Sequence, residues 1–454
     1  MSTLRTFPFA IYYLLSARKE LLLFALFVLV APLQIRWFFK DVSQLIDSEW
    51  VQAWVWLSDF VLLALLAVWI WRAGHQATRR MWPILFSVPV FALAAFSENP
   101  ILGVWSAIKL AEGLALFSYI RANKNIVFCR SSFIIFAFVL AVMVVVAVLQ
   151  FALQHDLGFQ KIGESELSPD LRAVAKFELP DGSKLMRAYS LAPHPNIAAV
   201  IFLAGIFAIA RLYIQRGVGL VWGYSLARQK QELLLGVPLF FLLLALAVTF
   251  SRSAWLGLVL GIGILTLGIF AIPKLRRAYI WEALRFLSLV IVIVILLLLS
   301  VPGMRERSTI DSKEQAVTLR QFFNEQAAEM IKEKPLFGVG PGQFVEELAA
   351  RHTVSLPGER LTLGPVLLQP VHNLPFLWAA EYGVPLALFL LLLLSLFVVR
   401  AFLRLLREQH PHAALKKLIL CSFVFSFVPF VLFDHFLWTL QQGRFSFWFV
   451  LALF

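Results

Sequence analysis

The sequence predicts an all-α, polytopic membrane protein, and three observations lead there. Of its 454 residues, 60% are hydrophobic and 15% charged, with 43 Phe and 14 Trp. A soluble domain carries roughly 45–50% apolar and about 25% charged residues. Apolar runs long enough to cross a bilayer as helices recur along the whole chain. The connections at alternate ends of those runs are basic. A water-soluble enzyme is excluded, and so is a disordered chain, because this much apolar surface demands burial.

Each span follows from the ~20 residues a membrane helix needs. About twelve are expected, at 20–38, 54–71, 82–97, 101–120, 131–151, 196–215, 233–250, 253–272, 280–301, 374–399, 415–433 and 435–453. The first has no small-residue cleavage site and reads as an uncleaved signal anchor. The 82–97 stretch is short and the last two spans nearly fuse, so eleven or thirteen also fit. The chain, 1–454, reads as a single integral membrane domain. Cys129 and Cys421 lie in or beside apolar runs, which does not suggest a disulfide framework.

The excess of 40 Lys and Arg over 27 Asp and Glu gives +13. More than half of those cations fall in six regions, at the N-terminus and around Arg72, Arg121, Arg211, Lys274 and Arg400. All six share one side if the spans alternate. That side is expected to be cytoplasmic, with both termini on it. The charge is then mostly a topology signal, and nucleic acid has no place as a partner.

Two long loops face the other side, 152–195 and 302–373, and both are balanced in charge. Loops beyond about 12–15 residues are usually functional or disordered. The second loop contains an expected amphipathic helix over 312–334, with Val317, Phe322, Phe323, Ala327, Met330 and Ile331 as its apolar stripe. Ser312 followed by Gln315 resembles a capping box. Lys334-Pro335 and Gly338-Val339-Gly340-Pro341-Gly342 end the helix in a tight turn. A shorter helix is expected over 343–351. The whole reads as an ordered lid on the outer membrane surface.

The residues able to carry chemistry gather on this outer side. Arg187 precedes Pro193-His194-Pro195-Asn196, and either snorkels to headgroups or binds a ligand. Arg252 sits between two apolar spans in Thr249-Phe250-Ser251-Arg252-Ser253, where a cation is costly and is either an interfacial anchor or functional. Arg320 lies in the loop helix, as a solvated cation or a ligand. His372, in Val371-His372-Asn373, lies where the loop re-enters the membrane and can titrate near neutral pH. Asp434-His435 occupies a comparable boundary. Lys109 and Glu112 read as a structural pair on one helix face. There is no phosphate loop, no dinucleotide fingerprint, and no metal-ligand spacing. Arginines with a histidine suit an oxyanion, above all a phosphate.

These elements resemble the O-antigen ligase family and the related O-antigen polymerases. The resemblance rests on Ser251-Arg252-Ser253-Ala254-Trp255-Leu256-Gly257, Lys334-Pro335-Leu336-Phe337-Gly338-Val339-Gly340-Pro341-Gly342, His372-Asn373 and Glu381-Tyr382-Gly383, with the Arg187 to Asn196 stretch before them. It covers the second half of the chain; the first half agrees in hydropathy. It implies a GT-C-like glycosyltransferase in the bacterial inner membrane with a periplasmic active site. The donor would be a glycan on undecaprenyl pyrophosphate. The acceptor would be a sugar hydroxyl of lipid A-core oligosaccharide, which completes lipopolysaccharide. It further implies no metal and no cofactor, surrounding membrane lipids, and inversion at the anomeric carbon. In that frame Arg187, Arg252 and Arg320 hold the pyrophosphate and His372 is the general base. Asp434 is the candidate to orient His372 or brace an arginine. An O-antigen polymerase or a protein O-oligosaccharyltransferase would share these motifs, and a transporter or flippase of an anionic lipid is the rival of a different class.

Overall fold

A computed structural model describes residues 7–41, 48–171, 174–215, 228–308, 315–351 and 368–453. It is almost wholly helical. Eight described helices are long and apolar enough to cross a membrane, Pro100–Ala122, Arg130–Leu153, Pro195–Ile214, Gln229–Val248, Arg252–Ala271, Pro273–Ser300, Val384–Arg407 and Pro411–Phe433. This is the architecture of a multi-pass membrane protein.

The chain order is α1 (Phe7–Val30), β1 (Arg36–Asp41), β2 (Gln52–Trp56), α2 (Leu57–Ala73), α3 (His75–Arg80), α4 (Val88–Ala95), α5 (Pro100–Ala122), α6 (Lys124–Val127) and α7 (Arg130–Leu153). A short hairpin, β3 (Lys176–Glu178) with β4 (Lys184–Met186), leads to α8 (Pro195–Ile214), α9 (Arg228–Val248), α10 (Arg252–Ala271) and α11 (Pro273–Ser300). After α12 (Met304–Ser308) come the loop helices α13 (Gln315–Glu333) and α14 (Phe344–Ala350). The chain ends with α15 (Leu374–Tyr382), α16 (Val384–Arg407), α17 (Pro411–Phe425), α18 (Val428–Phe433), α19 (Phe436–Thr439) and α20 (Gln441–Ala452).

Five of the twelve expected spans take another form, and one of them, the 374–399 run, breaks at Gly383 between α15 and α16. The 20–38 run is helical only to Val30, and its remainder becomes β1, antiparallel to β2. Pro32 cannot donate into a continuing helix, and Trp37, Phe38 and Phe39 suit a strand edge. The 54–71 run contributes β2 before α2 begins at Leu57. A turn of 3₁₀ helix, Trp82–Ser87, interrupts the 82–97 run ahead of α4. The 435–453 run breaks at Leu440 into α19 and α20.

Buried charge ties the first helices together. Lys109 donates to Asp59 at 2.5 Å and to Glu112 at 3.1 Å, and Gln441 donates to both carboxylates. The expected Lys109–Glu112 pair is thus part of a junction between α2, α5 and α20. Asp59 also accepts from Trp56 N, which caps α2. At the other end Arg72 bonds Glu20 and Asn123, which joins α1, α2 and the end of α5.

The loop helix forms as its periodicity predicts. Phe323, Ala327 and Met330 are its buried face, and α13 packs on α15. Ser312, the expected cap, lies outside the described residues. The turn after the helix docks by its backbone onto the end of α15 and the start of α16. Val339 N donates to Ala380 O, Gly340 N to Glu381 O and Val384 N to Pro335 O, at 2.8 to 3.0 Å. A Cβ on Gly383, whose φ is +82°, would stand 2.2 Å from Leu336 O; one on Gly338 would stand 2.4 Å from the Glu381 carbonyl carbon. Only glycine fits such an approach. Gly383→Ala is therefore expected to loosen the lid, seen as faster proteolysis within 334–351 while the transmembrane core stays resistant.

Candidate active site

Arg187 is placed by the first long loop. Pro180-Asp181-Gly182-Ser183 closes the β3–β4 hairpin, with Asp181 accepting from Ser183 N at 2.9 Å and Gly182 at φ +81°. Arg187 follows β4, and its N donates to Ala175 O. The buried Gln150 of α7 fixes the next residues. Its Oε1 accepts from Tyr189 N and Ser190 N, and its Nε2 donates to Ser190 O and Glu164. Ser190, at φ +57°, is held in a left-handed turn by this clamp. Arg187 is 8% exposed and reaches inward: Nε donates to Thr249 O at 2.7 Å and Nη2 to Asn196 Oδ1 at 2.5 Å.

From Asn196 the network continues. Its amide donates to Asp434, whose other oxygen accepts from His435 N at 2.8 Å and Phe436 N at 3.2 Å. Asp434 therefore braces Arg187 through Asn196 and shapes the turn before α19; no hydrogen bond joins it to His372 among the described residues. Asp434→Ala strands three donors in a buried place, at about 1–3 kcal/mol each. A marked fall in melting temperature of the purified protein is the expected result.

His372 stands beside this network. Its ring stacks on Phe323 of the lid helix at 6.2 Å and meets His435 edge-on at 4.6 Å. His194 lies 4.0 Å from the Phe436 ring, which His372 and His435 also flank at 6.2 and 4.2 Å. Three imidazoles thus surround one phenyl ring. They do not converge on a common point, and among the described residues no three His, Cys, Asp or Glu are grouped to hold a metal ion. His372 Nδ1 and His435 Nε2 are buried without a hydrogen-bond partner among the described residues, while His435 Nδ1 pairs with Thr439 Oγ1.

Arg320 faces this group from α13, close enough to act on His372, His194, His435, Arg187 and Asp434. Burial, followed by the Arg320 charge, holds the His372 imidazole down at about 3, against a hydrogen bond to the Pro370 backbone. Burial and the Arg307 charge push Arg187 down to about 9, so it stays charged at pH 7.

Arg252 is the first residue of α10, whose cap is Ser251. Its Nε donates to Arg307 O at 3.1 Å, and Arg307 Nε returns to Phe250 O at 3.4 Å. Phe250 has φ +47°, and such strain in a non-glycine residue clusters at functional sites. Arg252 is therefore joined to the cluster through Arg307, whereas Arg187, Arg320, His372 and Asp434 lie within it directly. Arg307, His194, His435 and Asn196 had no role assigned from sequence. Asn196 and His194 sit in the stretch already noted beside Arg187, but Arg307 has no local signal at all. Glu381 and Tyr382 instead support the glycine turn and Trp438, whose Nε1 donates to Tyr382 at 2.8 Å.

Residues 237–391, about a third of the chain, match a family model described as O-Antigen ligase. That segment is similar to the O-antigen ligase family. The matched segment contains Arg252, Arg307, Arg320 and His372, and Arg187, Asn196 and Asp434 are brought to it from outside. No curated protein matches the chain.

Proposed function

We propose that the protein is an O-antigen ligase that transfers a glycan from undecaprenyl pyrophosphate to a hydroxyl of lipid A-core, working at the periplasmic face of the inner membrane. One observation carries this reading. Arg320 acts on the half-buried imidazole of His372, which has an unpartnered nitrogen, and on Arg187, with Arg252 and Arg307 at the margin. Two N–H groups of Arg187 are engaged by Thr249 and Asn196, and its remaining N–H groups are suited to a phosphate oxygen.

In the reaction the acceptor oxygen attacks the anomeric carbon opposite the leaving group. The bond from that carbon to the phosphate oxygen breaks, and its electron pair leaves with the pyrophosphate. Arg187, Arg320 and Arg252 stabilise the charge that accumulates there. The hydroxyl proton passes to His372 Nδ1. An imidazole held near 3 is a weak base. Burial is the larger cause, and a bound pyrophosphate raises the imidazole by offsetting the Arg320 charge. The glycosyl configuration inverts.

The test supplies purified protein in bilayers with undecaprenyl-pyrophosphate glycan and lipid A-core. Joined product supports a ligase. Lengthened carrier-bound chains would instead identify a polymerase, and absence of both reopens transport of an anionic lipid.

A further inference from the structure

At the basic end of the bundle a cavity of about 630 Å³ opens between α5 and α16 and reaches inward to Trp378 and Trp438. Arg79, Arg80, Arg121, Arg400 and Arg404 line its mouth, and Trp82, Phe86, Phe117, Phe397 and Trp448 are among the residues of its apolar wall. The gap exists because the two helices pack elsewhere: α5 against α4 and α20, α16 against α15 and α17. Much of α16 is bare, with Leu388, Leu392, Val399 and Phe402 exposed, so the crevice faces the surrounding lipid.

A surplus of positive charge at this end follows from topology alone. Topology does not require cations to converge on a cavity with an aromatic interior. Arg121 lies over the rings of Phe117 and Phe397, 5.5 and 5.7 Å from their centroids, and those rings bridge the gap at 5.8 Å. Arg404 is close enough to repel Arg121, and Lys124 is repelled by Arg121, Arg404 and Lys416. An anion at the mouth would relieve that crowding, and guanidinium forks match phosphate oxygens. Basic pockets between membrane helices take anionic headgroups on this principle.

We propose that this crevice binds an anionic phospholipid, its phosphate on the arginine rim and one acyl chain along the aromatic wall. The full-length protein would be reconstituted in nanodiscs of phosphatidylglycerol mixed with phosphatidylcholine, extracted in detergent, and weighed by native mass spectrometry. Phosphatidylglycerol is expected to be retained roughly tenfold or more above its bulk share. The R121Q/R404Q variant loses this enrichment, whereas R277Q, altered at the same end outside the cavity, keeps it. Leu394→Trp fills the cavity without changing charge and expels the lipid, which decides the matter if R121Q/R404Q does not fold. Equal enrichment in wild type, R121Q/R404Q and Leu394→Trp overturns the proposal. So does selective displacement of phosphatidylglycerol by undecaprenyl phosphate, which would make the carrier lipid the occupant.

Discussion

Replacing Arg187 by alanine lowers kcat/KM for glycan transfer by roughly 10²–10³, the range seen when one preorganised donor to a developing negative charge is lost. Arg187→Lys falls nearly as far, although it keeps the charge. A single ammonium cannot hold Thr249 O and Asn196 Oδ1 together and still present N–H groups to a phosphate. Steady-state kinetics with lipid-linked donor, alongside melting curves of each variant, separate this from a folding defect. Transfer by Arg187→Lys at the parental rate would remove the argument for a forked contact.

His372→Ala is the second large effect. General base assistance is worth roughly 10²–10⁴-fold, so kcat falls by that range while donor KM changes little. Its pH dependence is the sharper check. The free imidazole is held at about 3 and is therefore neutral from mild acid upward. The acid limb of kcat/KM, which reports the free enzyme, stays flat through the pH range where an ordinary histidine protonates. The limb of kcat reports the donor complex, in which the bound anion favours imidazolium, and is displaced to higher pH. An acid limb at the same pH in both profiles would contradict coupling between donor and base.

Much of the fold was legible in the sequence because membrane helices leave local traces. The run of apolar residues in Arg130–Leu153 and the stripe at Phe323, Ala327 and Met330 each follow from one period. Hydropathy could not see that 36–41 pairs with 52–56, since an apolar strand and the end of an apolar helix have the same composition. Arg252 was visible as a cation at a costly place, His372 and Asp434 as polar residues at the membrane boundary, and Arg187 and Arg320 as cations of the two long loops. Arg307 was not, because it stands in an ordinary charged stretch, Arg305-Glu306-Arg307, and matters through its contacts with Arg252 and Phe250 and its charge near Arg187. The imidazoles of His194 and His435 were present in noted motifs, but their approach to His372 around Phe436 arises from folding together segments well separated along the chain. The basic crevice was hidden for a similar reason: its arginines fully satisfied a topology rule, and the rule says nothing about convergence.

The most direct measurement is a structure of the protein with undecaprenyl pyrophosphate bound. The account predicts phosphate oxygens about 3 Å from the guanidinium groups of Arg187 and Arg320, with the His372 ring facing the side from which an acceptor reaches the anomeric carbon. Pyrophosphate seated away from both arginines, or His372 turned from the donor's sugar, would contradict it.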